Sequence, residues 1–413
     1  MNVKITPSKI NGEIVAPPSK SYAHRLLIAA YLSGQKVCVH NAGNSLDVLA
    51  TTDALKNLGA QIEIADGTIT IERQNLPSCA TVNCNESGST LRFLLPVAAA
   101  LGVNATFCGQ GRLLSRPIEG LVQALNQNGA NTNGFTVRGK LRAGEYRVAA
   151  NVSSQYVTGL LFALPLLKND SSIILEGTPV STGYLDITLN VLQQFGIEIE
   201  KTICGYVVKG NQKYKAIPHV TVEGDYSGAA FPLSLGAICG KVKVTGLNAC
   251  SLQGDAQILN VLQQFGAKVT VSDNCITVEK DKLSAVTLDA ENIPDLVQII
   301  SVVGAFAKGE TVLQNVTRLR LKESDRIEAI IAQLHAVGIE CKFKNGNLHV
   351  QGGEPKGATL LGGGDHRTVM SATVLALGAK GQSSVLGCEP VTKSYVEFFN
   401  DISKLGGQIN VDV

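Results

Sequence analysis

The sequence predicts an α/β protein of two globules, each made of three copies of one small unit with its central helix buried. Three observations predict it. An amphipathic helix ending in glycine recurs six times, at Leu58-Gly59, Asn128-Gly129, Phe195-Gly196, Phe265-Gly266, Val337-Gly338 and Leu405-Gly406, so successive glycines stand 67 to 72 residues apart. A second type of segment, apolar on nearly every side, alternates with that helix. A short hairpin follows it. Self-similarity at a fixed period marks a repeat architecture, and this period is too long for the common solenoids.

The amphipathic helix is clearest at 255–265, where Ile258, Leu262 and Phe265 share a face at helical spacing. The stretch 186–195 nearly repeats it, with Asn190-Val191-Leu192-Gln193-Gln194-Phe195-Gly196 set against Asn260-Val261-Leu262-Gln263-Gln264-Phe265-Gly266. The glycine closing each helix suits a left-handed position just past the last turn. Residues 60–65 and 68–72 then read as strands joined by Asp66-Gly67, a strong hairpin signal. The apolar segments lie at 23–32, 90–101, 155–167, 227–239, 294–307 and 367–379. A helix apolar all round belongs in a core.

Composition narrows the function. The chain has 413 residues, 45% of them hydrophobic, which allows two or three globular domains. A net charge of +2 argues against general nucleic-acid binding, so any anion site must be built locally. No run of eighteen apolar residues suggests a membrane span, and the start, Met1-Asn2-Val3-Lys4-Ile5, does not read as an export signal. The ten cysteines are scattered singly, without a CxxC pair or metal-binding spacing, and read as reduced thiols of a cytoplasmic protein.

The residues ahead of the six apolar helices are the most informative. They are Ser19-Lys20-Ser21 with Arg25 one turn in, Glu86-Ser87-Gly88-Ser89 then Arg92, Ser153-Ser154-Gln155, Gly224-Asp225-Tyr226-Ser227, Ile293-Pro294-Asp295, and Asp365-His366-Arg367. Serine and aspartate there are ordinary caps. Lysine and arginine are not, because the helix dipole disfavours cations at that end. They make sense where an anion sits between them and the free backbone N–H groups. Lys322-Glu323-Ser324-Asp325-Arg326 places further charge at the start of a helix predicted over 325–337. Together these starts suit a multiply anionic substrate.

The motifs Pro17-Pro18-Ser19-Lys20-Ser21-Tyr22-Ala23-His24-Arg25, Gly111-Arg112-Leu113-Leu114-Ser115-Arg116-Pro117-Ile118, Ser153-Ser154-Gln155 and Leu321-Lys322-Glu323-Ser324-Asp325-Arg326, with Asp365-His366-Arg367 and Lys393, resemble the 5-enolpyruvylshikimate-3-phosphate synthase family along the whole chain. The resemblance implies a two-domain inside-out α/β barrel of six βαβαββ units. Residues 19–223 would form one globule and residues 1–18 with 224–413 the other, with the active site in the cleft between them. It implies transfer of the enolpyruvyl group of phosphoenolpyruvate to the 5-hydroxyl of shikimate 3-phosphate, by addition and elimination, in a cytoplasmic monomer that needs no metal or organic cofactor.

Carried over residue by residue, Asp295 is the base, Glu323 the acid, and Lys20 and Lys322 assist. Lys20, Ser21, Arg25, Ser153, Ser154, Gln155, Ser181, Asp295 and Lys322 would hold shikimate 3-phosphate. Lys20, Gly88, Arg112, Gln155, Arg326, Arg367 and Lys393 would hold phosphoenolpyruvate. Glu86-Ser87-Gly88-Ser89 departs from the family's Asn-Ala-Gly-Thr, Phe93 replaces a common proline, and Arg318 stands where some members use asparagine. These departures bear on glyphosate, which competes for the phosphoenolpyruvate site in the family. Two alternative functions share these repeats or anion sites. The related transferase acting on UDP-N-acetylglucosamine typically has a loop cysteine five residues before an Arg-Pro, and Gly111 occupies that position here. A catalytically dead anion-binding scaffold would lack the acid, the base or the lysine, yet Glu323, Asp295 and Lys20 are all present.

Overall fold

A computed structural model describes residues 1–149, 151–178 and 180–412. The chain divides into two compact units, one of Met1–Ser19 with Glu223–Val413 and the other of Lys20–Val222. Among the described residues there are twelve α-helices: α1 (Lys20–Ser33), α2 (Leu46–Asn57), α3 (Gly88–Leu101), α4 (Glu119–Gln127), α5 (Ser154–Ala163), α6 (Gly183–Gln194), α7 (Tyr226–Cys239), α8 (Ile258–Phe265), α9 (Val297–Phe306), α10 (Arg326–Ala336), α11 (His366–Gly378) and α12 (Phe398–Lys404). None is long and apolar enough to cross a membrane.

Odd-numbered helices are the buried ones. In α1 every residue from Tyr22 to Leu32 is buried, and in α7 the same holds from Tyr226 to Ile238. Burial on all sides explains their lack of a polar face. Glycines let them approach one another. A Cβ at Gly159 of α5 would stand 2.3 Å from the Arg92 carbonyl of α3, and one at Gly378 of α11 would meet Phe306 and Ile238 at 2.7 and 2.8 Å.

Each repeat contributes a four-stranded sheet, six in all among the described residues. In the second repeat, for example, Cys79–Asn83 runs parallel beside Asn104–Cys108, which pairs antiparallel with Thr136–Gly139, and Ala130–Asn133 lies at the edge. Parallel neighbours need a crossover connection, and the buried helix supplies it. The hairpin predicted at Asp66-Gly67 forms with φ of 47° and 72°, the positive pair of a type I′ turn. Two sheets take a strand from the far end of the sequence. Asn2–Thr6 lies between Ser383–Leu386 and Gln408–Asp412, and Ile10–Val15 pairs parallel with Gly240–Thr245.

The predicted segments shift at three places. The helix expected from 294 begins at Val297, so Asp295 stands on the turn ahead of it. Helix α5 stops at Ala163, because Pro165 lacks the N–H that another α-turn requires, and a 3-10 turn over Leu164–Leu166 follows. The helix expected from 255 opens with a 3-10 turn, Gly254–Gln257, before α8.

Candidate active site

In the Lys20–Val222 unit the predicted residues stand on the first turns of α1, α3 and α5 and on the loops carrying Arg112 and Ser181, and side-chain hydrogen bonds link α3 to α5. Lys20 opens α1 and its Nζ lies 2.8 Å from the Asp47 Oδ2 in the first turn of α2. Arg25, buried one turn further, donates to Thr188 Oγ1 at 2.8 Å, to the Ser21 carbonyl at 2.7 Å and to the Tyr184 carbonyl at 3.0 Å. Its guanidinium also lies 5.0 Å from the Phe93 ring centroid. Burial lowers the Arg25 pKa to about 10, opposed by Tyr184 and Tyr22. These hydrogen-bond partners are neutral acceptors, so a bound anion would be the natural counter-charge.

At the start of α3, Gly88 makes a cradle. A Cβ there would lie 2.7 Å from Nη1 of both Arg92 and Arg116. Arg92 donates to Gln155 Oε1 at 2.8 Å, and Gln155 Nε2 donates to Ser89 Oγ at 3.0 Å, tying α5 to α3. The Ser153 hydroxyl caps α5 by accepting from the Gln155 N–H at 3.3 Å, and Ser154 is buried beside it. Ser181, also buried, is held in the left-handed region at φ 55° just ahead of α6. Arg112 is exposed on its loop, whereas Arg116, four residues on, reaches Gly88. Arg92 stands out in the sequence as a cation at a helix start, whereas Arg116 and Asp47 do not, since their partners Gly88 and Lys20 lie on other segments.

In the other unit one guanidinium organises the charged residues. Arg326, the first residue of α10, donates to Asp295 Oδ1 at 2.7 Å, Glu323 Oε2 at 2.8 Å and Asp365 Oδ2 at 2.8 Å. Burial opposes its charge, but Asp365, Glu323 and Asp295 outweigh burial and raise its pKa. Asp295 also meets Lys322 Nζ at 3.5 Å and Arg367 Nη2 at 3.4 Å. Burial depresses the Lys322 pKa, with Asp295 the main opposing influence. Lys393 Nζ donates to the Gly364 carbonyl at 3.0 Å, immediately before the Asp365 that caps α11.

The three carboxylates differ in access. Asp365 has 0% of its side chain exposed, Asp295 14% and Glu323 23%. Asp365 therefore orients Arg326, while Asp295 and Glu323 retain a face that a ligand can touch. The Asp365 role was masked in the sequence by its capping position, which explains an aspartate without further function. Arg318 donates to the Glu291 carbonyl at 2.7 Å, and burial lowers its pKa.

The fixed cations and the two accessible carboxylates are the groups that a reaction between anions, assisted by an acid and a base, would use. The sequence matches the profile of EPSP synthase (3-phosphoshikimate 1-carboxyvinyltransferase) over residues 5–402. It is 39% identical to the 3-phosphoshikimate 1-carboxyvinyltransferase of Clostridium kluyveri and 38% identical to that of Clostridium acetobutylicum, in each case over 99% of this chain and 98% of the relative. Its fold is similar to EPSP synthase from Acinetobacter baumannii, with a TM-score of 0.84 at 23% identity over 99% of this chain and 100% of that one. It is also similar to the enolpyruvyl transferase NikO from Streptomyces tendae, with a TM-score of 0.79 at 18% identity over 99% and 98% of the two chains. The chain belongs to the EPSP synthase family and is a transferase.

Proposed function

We propose that this chain moves the enolpyruvyl group of phosphoenolpyruvate onto the 5-hydroxyl of shikimate 3-phosphate and releases phosphate, with Asp295 as base and Glu323 as acid. The observation that carries the assignment of roles is that both carboxylates bind the same guanidinium, Arg326, and that each keeps an exposed face. Asp295 accepts the proton of the attacking hydroxyl. Glu323 protonates the methylene carbon as the new C–O bond forms, giving a tetrahedral adduct with a methyl group. Glu323 then removes a proton from that methyl while the C–O bond to phosphate breaks, and the hydroxyl proton leaves with phosphate. General acid–base assistance of this kind contributes typically about 10²–10⁴-fold.

Arg25, Lys20, Ser21, Ser153, Ser154, Gln155, Ser181, Asp295 and Lys322 would hold shikimate 3-phosphate. Gly88, Arg112, Arg326, Arg367 and Lys393, with Lys20 and Gln155, would hold phosphoenolpyruvate, and Arg92 and Arg116 would join them. The assigned residues come from both units. The chain would act as a monomer, and its ten free cysteines suit the reducing cytoplasm. The test is phosphate release. It should require phosphoenolpyruvate and shikimate 3-phosphate together. Release with UDP-N-acetylglucosamine in place of shikimate 3-phosphate would favour the other transferase, and release with neither acceptor would refute the assignment.

A further inference from the structure

Four buried side chains, His24, Thr51, Thr90 and Ser87, form a continuous hydrogen-bonded line from α1 to the start of α3. His24 Nδ1 lies 2.7 Å from Thr51 Oγ1, which lies 2.6 Å from Thr90 Oγ1, and Thr90 Oγ1 donates to Ser87 Oγ at 2.7 Å. The direction of the line follows from His24. Burial, and then the charges of Lys20 and Arg25, push its pKa well below 6.5, so the ring is neutral and carries one proton. The buried His24 Nε2 has no hydrogen-bond partner among the described residues. A proton on Nε2 would be an orphaned donor, which proteins avoid more strictly than an under-used acceptor. The proton therefore sits on Nδ1 and is donated to Thr51. Thr51 must then donate to Thr90, in line with the onward donation of Thr90 to Ser87.

Ser87 Oγ thus accepts twice, from the Thr90 hydroxyl and from the Thr90 N–H at 3.2 Å. Both its lone pairs are taken, so its own hydrogen must point elsewhere. Ser87 immediately precedes Gly88, where the Arg92 and Arg116 guanidiniums surround the helix start. We infer that Ser87 is a further phosphoenolpyruvate-contacting residue, its hydroxyl donated to the anion at the start of α3, and that His24, Thr51 and Thr90 are positioning residues that fix its direction. The inference rests on the function proposed above.

A cap alone would account for Ser87 but not for the distant members, so the test concentrates on them. Thr51→Val cuts the line two residues away from the cap. Losing one oriented donor should raise the phosphoenolpyruvate KM by about tenfold in Ser87→Ala and by somewhat less in Thr51→Val, with the shikimate 3-phosphate KM unchanged. His24→Asn, which can still donate to Thr51, should stay closer to the unaltered enzyme than His24→Leu. Nitrogen NMR of the full chain should find His24 as the neutral Nδ1–H tautomer near pH 7, the direction of donation that the line requires. Unchanged phosphoenolpyruvate KM in both Ser87→Ala and Thr51→Val, or a proton on Nε2, would overturn the relay. Failure of the unaltered enzyme to release phosphate would instead refute the proposed function itself.

Discussion

Gly88→Ala places a methyl group where two guanidiniums already stand. Its Cβ would lie 2.7 Å from Nη1 of Arg92 and of Arg116, whereas ordinary contact begins near 3.4 Å. Both groups must therefore retreat by about 0.7 Å if the backbone holds. The neighbours are ends of flexible side chains, and Gly88 is not among the residues with positive φ, so the fold absorbs the change. Alanine also favours a helix over glycine by up to ~1 kcal/mol. The loss falls on the ligand. A charge-assisted hydrogen bond contributes roughly 1.5–3 kcal/mol, so weakening one such contact should raise the phosphoenolpyruvate KM by about tenfold or more. Steady-state kinetics with each substrate varied in turn, alongside a thermal melt, reads this directly. The melting temperature and the shikimate 3-phosphate KM should move little. An unchanged phosphoenolpyruvate KM in a folded variant would mean that the cradle at Gly88 does not hold that anion.

Three further outcomes follow from the same geometry. Glu323→Gln should lower turnover by about 10²–10⁴-fold while shikimate 3-phosphate still binds, as titration calorimetry would measure. Arg25→Ala should raise the KM mainly for shikimate 3-phosphate and Lys393→Ala mainly for phosphoenolpyruvate; equal effects on both substrates would contradict the division of contacts. Asp255, hydrogen-bonded to Ser227, has its carboxyl pushed up to about 6 by burial and then by Asp295. The folded state thus holds that proton more tightly than the unfolded chain. Its contribution is full below about pH 4 and is lost as pH rises through 6, by roughly 3 kcal/mol at 1.36 kcal/mol per unit. Urea unfolding at pH 4 to 8 should show that decline diminished in Asp255→Asn.

Periodicity carried the fold because burial imposes it. The apolar segment at 23–32 lies within α1 and that at 227–239 within α7, since a helix with neighbours on every side tolerates no polar stripe. Boundaries were less legible where a local rule won. Pro165 ended α5 early, and Asp295 proved to lie on a turn, where its carboxylate meets Lys322, Arg326 and Arg367. The charged helix starts were visible as anomalies against the helix dipole, which is why Lys20, Arg25 and Arg326 could be named from sequence. Asp47 and Arg116 could not, because a salt bridge or a guanidinium over a glycine depends on the path of a different segment. The line from His24 to Ser87 was equally hidden, because its hydrogen bonds join three segments far apart in the sequence.

The central claim is addition and elimination with proton transfer at the methylene carbon, and turnover in heavy water tests it most directly. If Glu323 donates a solvent-derived proton to that carbon and later removes one from the resulting methyl, the enolpyruvyl methylene of the product must carry deuterium. Mass spectrometry of product formed from phosphoenolpyruvate and shikimate 3-phosphate should find it, with formation slowed in step with turnover in Glu323→Gln. Full turnover that leaves the methylene free of deuterium would contradict the account, because no methyl-bearing adduct could then have formed.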